Sequence, residues 1–228
     1  MKDIQAYIDS KQQEFERHPF FALLEKLKTL EEIGYFVPDL TFWVMAFQDI
    51  LRLNKERVTN PYLRKIAHHH KLEDAGHEQW FLHDKNYVSS RHASTREDVN
   101  WLFGRQTRAV RDASYAIVSE VYRSESDWLN ITLLITIESS GHVFFDKIVN
   151  KIQELGEDKN LKYFARSHLD AELAHALFDE EMERELYAEP LTADIRRDAR
   201  ALVDRCYNAF NKMFDGLIVA YERQLELA

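Results

Sequence analysis

The chain has few of the residues that interrupt helices or cross-link small domains. It contains six glycines, four prolines and a single cysteine, Cys206, among 228 residues. The scarcity of glycine and proline favours helices joined by few turns. One cysteine excludes an intrachain disulfide framework and a cysteine-rich zinc site. We therefore expect a reducing, cytoplasmic setting.

Two other features are missing: a long apolar run and an excess of positive charge. No stretch approaches the roughly 18 consecutive apolar residues of a membrane-spanning helix. The formal net charge is −9, whereas nucleic acids and anionic lipid surfaces attract basic faces. We therefore expect neither a nucleic acid nor a membrane among the partners.

The apolar residues that are present recur at helical spacing along most of the chain. No segment shows sustained alternation of apolar and polar residues or a hairpin signal. Helix starts are predicted where Thr29 precedes Glu32 by three positions and where Asn60 precedes Pro61. The patterns predict an all-α protein of about eight helices. Because no linker-like stretch divides them, residues 1–228 are expected to form a single all-helical domain.

Two of the predicted helices have histidines and acids on one face. The first covers residues 61–88 and the second residues 159–187. Steps of three and four residues return to the same side of an α-helix. The first helix is therefore predicted to align His70, Asp74 and His77 along one face.

The second helix repeats these steps with His168, Glu172 and His175. Imidazoles and carboxylates without a thiolate are ligands that suit iron or manganese, with zinc as a further option. Glu73, next to the first face, is an additional candidate ligand. Each helix is thus predicted to supply half of a metal site, although histidines at this spacing also occur as ordinary surface or core residues.

A further carboxylate, Glu138, lies in the most apolar stretch of the chain, ITLLITIESSGHVFF. Burying an unpaired carboxylate costs on the order of several kcal/mol, so the group must be paired, protonated or bound to a cation. An ion pair with Arg108 or Arg111 is one solution and metal ligation is another. Together with the carboxylate-x-x-His units of the two flanking helices, Glu138 completes the ligand set of a dimetal site in a helical bundle.

These segments resemble the haem-oxygenase-like diiron oxidases and oxygenases, and the resemblance covers most of the chain. Its parts are the opening HPFFALLEKLKTLEEIGYF, the middle KLEDAGHEQWF, the single Glu138, and the histidine–carboxylate–histidine motif of the second helix. The chain departs from the family at His70 and Asp74, where Glu is usual. It also has Glu172 in the last motif, where Asp is usual.

The resemblance implies a haem-oxygenase-like helical bundle and an iron-dependent oxidoreductase. It implies two bound iron ions, O₂ as co-substrate, a small organic substrate, and a homodimer by analogy of fold. The metal ligands it implies include five residues, with one or more of three others completing the set. The five are His77, Glu138, His168, Glu172 and His175, and the three are His70, Glu73 and Asp74.

Other functions fit the same residues. A ferritin-like four-helix bundle for metal redox chemistry or storage would take Glu31 or Glu32 as its remaining ligand. A metal-free haem-oxygenase-like protein would use the histidines to line a ligand pocket, and a structural module would need none of them. His18 stands about where a haem oxygenase has its proximal ligand. Six aromatic residues are candidates for a pocket wall: Trp43, Phe47, Trp80, Phe81, Phe144 and Phe145.

Overall fold

The structure is a computed structural model that describes the backbone of residues 1–89, 95–174 and 180–227. It describes the side chains of residues 1–89, 99–170 and 184–227. Within these ranges the chain is helical and contains no strand, which confirms the all-α prediction. The first half contains α1 (Lys2–Phe15), α2 (Pro19–Leu24), α3 (Leu30–Gly34), α4 (Thr41–Arg57), α5 (Pro61–Glu73) and α6 (His77–Val88).

The second half contains α7 (Thr95–Leu102), α8 (Arg108–Arg123), α9 (Asp127–Glu154), α10 (Arg166–Ala174), α11 (Glu180–Ala188) and α12 (Ala193–Leu225). Of the described helices, α9 and α12 are the longest, with 28 and 33 residues. Short 3-10 turns cover Val37–Leu40 and Asp158–Asn160. In the described part of the chain, no helix is both long enough and apolar enough to cross a bilayer.

Helix starts follow the capping signals of the sequence. The Thr29 hydroxyl accepts the Glu32 N–H, and the Glu32 carboxylate accepts the Thr29 N–H at 3.0 Å. The Asn60 side chain accepts the N–H groups of Tyr62 and Leu63 at the start of α5. These side chains satisfy backbone donors that have no partner within the helix. Both predicted starts are therefore confirmed.

The prediction of one continuous helix over residues 61–88 is wrong. Helix α5 ends at Glu73 and α6 begins at His77. Between them Gly76 has a φ of 97°, a left-handed conformation that side chains with a Cβ disfavour and glycine adopts readily. The histidine pattern continues through the break, which is why periodicity alone conceals it.

The predicted helix over residues 159–187 also starts later than expected. Residues 161–165 are not helical, and α10 begins at Arg166. The fully buried Asp84 of α6 accepts the N–H groups of Lys162 and Phe164 at 2.9–3.0 Å. Because these donors bind a side chain, the segment is held in a turn and does not join a helix.

Helix α9 lies at the centre of the fold. It contacts α1, α2, α4, α5, α8, α10 and α12, and most of its side chains are buried. The buried apolar residues form one connected cluster that includes members from α1 to α12. A polar residue in the middle of α9 is therefore surrounded by protein, and Glu138 occupies such a position.

Candidate metal centre

Glu138 pairs with a histidine of another helix. Its side chain is only 14% exposed, and its Oε1 lies 2.9 Å from Nε2 of His70 on α5. The two arginines considered as partners bind elsewhere: Arg108 lies 3.4 Å from Asp112, and Arg111 donates to backbone carbonyls at the end of α7. The buried carboxylate is thus compensated by an imidazole and not by either of these arginines.

His70, Asp74 and Glu138 converge on one point. His70 is 2% exposed, and its Nε2 lies 3.2 Å from Oδ2 of Asp74. One ligand atom from each of the three residues can be chosen so that all lie within 4.8 Å of one another. One imidazole and two carboxylates at this spacing form a donor set that fits a divalent iron, manganese or zinc ion.

The carboxylate of Asp74 also faces a second histidine. Its Oδ1 lies 3.3 Å from Nδ1 of His77, at the start of α6. The turn that presents Asp74 is fixed from α4, because the Gln48 side chain donates to the Asp74 carbonyl at 2.7 Å. The break after α5 therefore leaves Asp74 between two imidazoles, with one oxygen directed to each.

His168 joins the group from α10. Its Nε2 lies 3.2 Å from Nδ1 of His77, and its Nδ1 lies 2.6 Å from the Tyr163 carbonyl oxygen. A carbonyl only accepts, so this hydrogen bond requires the proton on Nδ1. The neutral ring then directs the lone pair of Nε2 towards His77. Metal-ligating histidines are commonly oriented in this way, by donation from the other ring nitrogen to a carbonyl.

Five side chains therefore form a continuous group, which we call the His–carboxylate row. Its members, in order, are Glu138, His70, Asp74, His77 and His168, and the contacts between successive members measure 2.9, 3.2, 3.3 and 3.2 Å. All but Glu138 are buried. Two carboxylates that are shielded from water and surrounded by nitrogen ligands favour a bound cation, so the row fits the metal that the sequence predicts.

Three predicted ligands, Glu73, Glu172 and His175, are not among the five members of the row. The carboxylate of Glu73 lies 3.0 Å from Nδ1 of His69, whose side chain is 54% exposed, and it is not a member of the row. The side chain of Glu172 and the whole of His175 lie outside the described residues, so their roles stay predictions. His142 stands at the edge of the row, with its Nε2 3.9 Å from Oε2 of Glu138.

Glu32, a ligand in the ferritin-like alternative, has a structural role. Its carboxylate accepts the N–H groups of Lys28 and Thr29 and the hydroxyl of Tyr221. The bond from the Lys28 N–H is the main reason why the pKa of Glu32 lies below its usual value. These bonds engage Glu32 in capping α3, away from the His–carboxylate row.

Both ring nitrogens of His18 face partners within the protein. Its Nδ1 accepts the Phe20 N–H at 3.2 Å, and its Nε2 lies 3.3 Å from the Asp215 carboxylate. The rings of Phe15, Phe21 and Phe214 surround it. Burial lowers the pKa of His18. The residue caps α2 in an aromatic part of the core.

A cavity opens beside the row, between α4, α9 and α12. Its volume is about 80 Å³, and four of the predicted aromatic residues, Trp43, Phe47, Phe144 and Phe145, line it. Trp80 instead stacks on His77 with ring centroids 4.7 Å apart. Phe81 is fully buried and packs against Tyr163 and Phe164. The pocket-wall prediction is therefore confirmed for four of the six residues.

Asp84, which supports His168 through the segment around Tyr163, is not among the residues predicted from the sequence. Asp84 holds the N–H groups on both sides of Tyr163, and the Tyr163 carbonyl in turn receives His168 Nδ1. In the sequence, Asp84 lies three residues after the apolar Phe81 and four before Val88. This spacing places its carboxylate on the same helix face as two apolar residues. It resembles the signal that identified Glu138, but the residues that Asp84 binds lie far away in the sequence.

No protein-family model matches this chain, and no curated protein matches it. A fold hosts many unrelated functions, so function has to be inferred from the chemistry of the site itself. The relevant features are the alternation of carboxylate and imidazole in the row, its burial, and the apolar cavity beside it.

Proposed function

We propose that the chain is a non-haem dimetal oxidase or oxygenase that binds two iron ions and uses O₂ to oxidise a small organic substrate. The observation that carries the proposal is the position of Asp74 between His70 and His77. Each oxygen of its carboxylate faces a different imidazole. A carboxylate in this position can bridge two metal ions, as acids do in dimetal sites of helical bundles.

The row divides into two half-sites that share Asp74. Glu138 and His70 belong to the first, and His77 and His168 belong to the second. Both half-sites combine carboxylate and imidazole, which favours iron, with manganese or zinc as substitutes. Glu172 and His175 of the same predicted motif would add ligands to the second half-site.

The bound ions would supply the reaction with O₂, which no side chain of the row can perform. The residues of the chain provide charge, orientation and shelter. The carboxylates of Asp74 and Glu138 balance the cationic charge, and the Tyr163 carbonyl fixes the ring of His168. Burial of four of its five members shields the row from water, and the adjoining cavity offers a place for the substrate.

The proposed architecture is the haem-oxygenase-like bundle. Support comes from the number of helices that surround α9, which exceeds the four of a ferritin-like bundle. The engagement of Glu32 in the cap of α3 also disfavours the ferritin-like ligand set. A metal-free ligand-binding protein would have the same cavity, so only metal binding separates that alternative from the proposed oxidase.

The test is an anaerobic titration of the metal-free protein with Fe(II), followed by exposure to O₂. We expect two iron ions per chain by elemental analysis and rapid O₂ uptake by the loaded protein. The variant Glu73→Gln is the matched control, because Glu73 pairs with an exposed histidine outside the row, and it should bind iron normally. Folded protein that retains no stoichiometric iron would refute the proposal in favour of the metal-free alternative.

A further inference from the structure

The cavity beside the His–carboxylate row has one polar end and otherwise apolar walls. The polar end is formed by members of the row, including Asp74 and Glu138. Helices α4, α9 and α12 supply the walls, which include Trp43, Phe47, Phe144, Phe210, Met213 and Phe214. Such a surface favours a ligand that is largely hydrocarbon, because apolar groups leave water when they bind there.

Among the described residues that line the cavity, none carries a permanent positive charge. They include the carboxylates of Asp74, Glu78 and Glu138 but no lysine and no arginine, and their only basic side chains are imidazoles. A ligand carboxylate, sulfate or phosphate would lose its hydration without gaining a protein cation, and it would approach three acids. The protein alone therefore disfavours an anionic ligand.

Gly141 leaves open space at the cavity wall. It lies in the interior of α9 and lines the cavity, and a Cβ added there would meet no atom within 4 Å outside its own helix turn. Glycine makes a helix interior less stable than alanine does. At Gly141 no neighbouring atom would clash with an added Cβ, so packing does not explain the glycine. The space that it keeps free adjoins both the apolar wall and the row.

We propose that this cavity binds a small, uncharged, mainly hydrocarbon molecule, and that Gly141 preserves the room for it. The molecule lies against the wall of α4, α9 and α12 with its polar end towards the His–carboxylate row. The assignment of this molecule as the substrate rests on the proposed oxidase function. Binding of the molecule to the cavity does not depend on that function, because the walls and Gly141 are present whether or not metal is bound.

The test measures binding of 1-butanol and butanoate, which match the size of the cavity, to chelator-treated, metal-free protein by calorimetry. The two probes have the same chain length and differ in the charge of the polar end. We expect saturable binding of one 1-butanol per chain, and butanoate should bind at least about tenfold more weakly. Equal affinity for the two probes, or no saturable binding of 1-butanol by folded protein, overturns the proposal.

A second arm fills the cavity through Gly141. Gly141→Leu should weaken 1-butanol binding by at least about tenfold, and Gly141→Ala should weaken it less while raising Tm, since alanine favours the helix. Ser119→Leu adds the same side chain at an exposed site of α8 and should leave the affinity unchanged. Unaltered affinity in both Gly141 variants contradicts the proposal, and Gly141→Ala decides if the leucine variant does not fold.

The oxidase proposal and the cavity proposal can be refuted independently of each other. Binding of 1-butanol with no uptake of iron would refute the oxidase and retain the hydrocarbon cavity. Uptake of two irons with no binding of 1-butanol would retain the metal centre and refute the cavity assignment.

Discussion

The imidazoles of His77 and His168 face each other at 3.2 Å, Nδ1 to Nε2, although 91 positions separate the two residues in the chain. Trp80 stacks on the first ring and Phe145 packs edge-on against the second. With Nδ1 of His168 engaged by the Tyr163 carbonyl, its other nitrogen can serve only as an acceptor or a ligand while the ring is neutral. The pair is therefore arranged as the second half-site of the proposed metal centre requires.

Removing His168 is predicted to affect one half-site more than the other. His168→Ala should reduce the iron content of the loaded protein from two ions to about one, because Glu138, His70 and Asp74 remain. Elemental analysis of protein loaded anaerobically and freed of excess metal is the measurement. His69→Ala removes an exposed histidine of α5 and should retain both ions. Retention of two tightly bound ions by the His168 variant would contradict the division into half-sites.

Asp84 is predicted to stabilise the fold and, at a distance, the metal centre. Asp84→Ala removes both acceptor oxygens, so the backbone N–H groups of Lys162 and Phe164 lose their partner. A buried unsatisfied donor costs about 1–3 kcal/mol, and urea denaturation should detect the loss.

The same variant should weaken iron binding by about 10-fold or more, because the Tyr163 carbonyl no longer holds His168 firmly. The neighbouring His83 also contacts Asp84, with its Nδ1 2.9 Å from the carboxylate, but its side chain is 44% exposed. His83→Ala is therefore the control and should change stability and iron binding little. Normal iron affinity in a destabilised Asp84→Ala protein would show that Asp84 supports the fold alone.

His18 is predicted to make stability depend on pH in the weakly acidic range. Burial lowers its pKa in the folded protein, against smaller opposing effects that include the carboxylate of Asp215. The unfolded chain therefore binds the proton more readily than the folded chain. Stability is full above the unfolded pKa of about 6.5 and falls as pH decreases below it.

The variant His18→Asn keeps an acceptor for the Phe20 N–H but cannot titrate. Urea midpoints measured at about pH 7.5 and pH 5.5 should differ less for this variant than for the unmodified protein. An identical pH dependence in the two proteins would mean that other groups, such as the histidines of the row, account for the whole effect.

Local signals in the sequence predicted much of the fold. Caps such as Asn60 act within one helical turn, so the sequence around them contains all the information they require. The break at Gly76 was missed because the three-and-four spacing of the histidines continues across it. His70, Asp74 and His77 nevertheless come together, since the turn presents Asp74 to both rings.

Contacts between segments that are far apart in the sequence could not be predicted from local sequence patterns. The choice of Asp74 over Glu73 as a member of the row depends on how α5 ends, and the two acids are adjacent in the sequence. The sequence predicted that Glu138 needs a partner, but only the packing of α5 on α9 identifies His70 as that partner. Asp84 supports His168 through residues 162–164, a non-helical segment that no sequence pattern predicted.

Asp74 is predicted to be the residue on which both metal ions depend. Asp74→Asn keeps the size of the side chain but removes the charge and one of the two oxygens that face His70 and His77. Both half-sites lose a ligand or its charge, so iron affinity should fall at both, by more than the 10–100-fold typical of an outer-shell change. Competitive titration against a chelator measures the two affinities, and Glu73→Gln, one residue away, is the matched control. If Asp74→Asn loses affinity at one ion only, Asp74 is a terminal ligand and the bridge must come from another carboxylate, for which Glu138 is the described candidate.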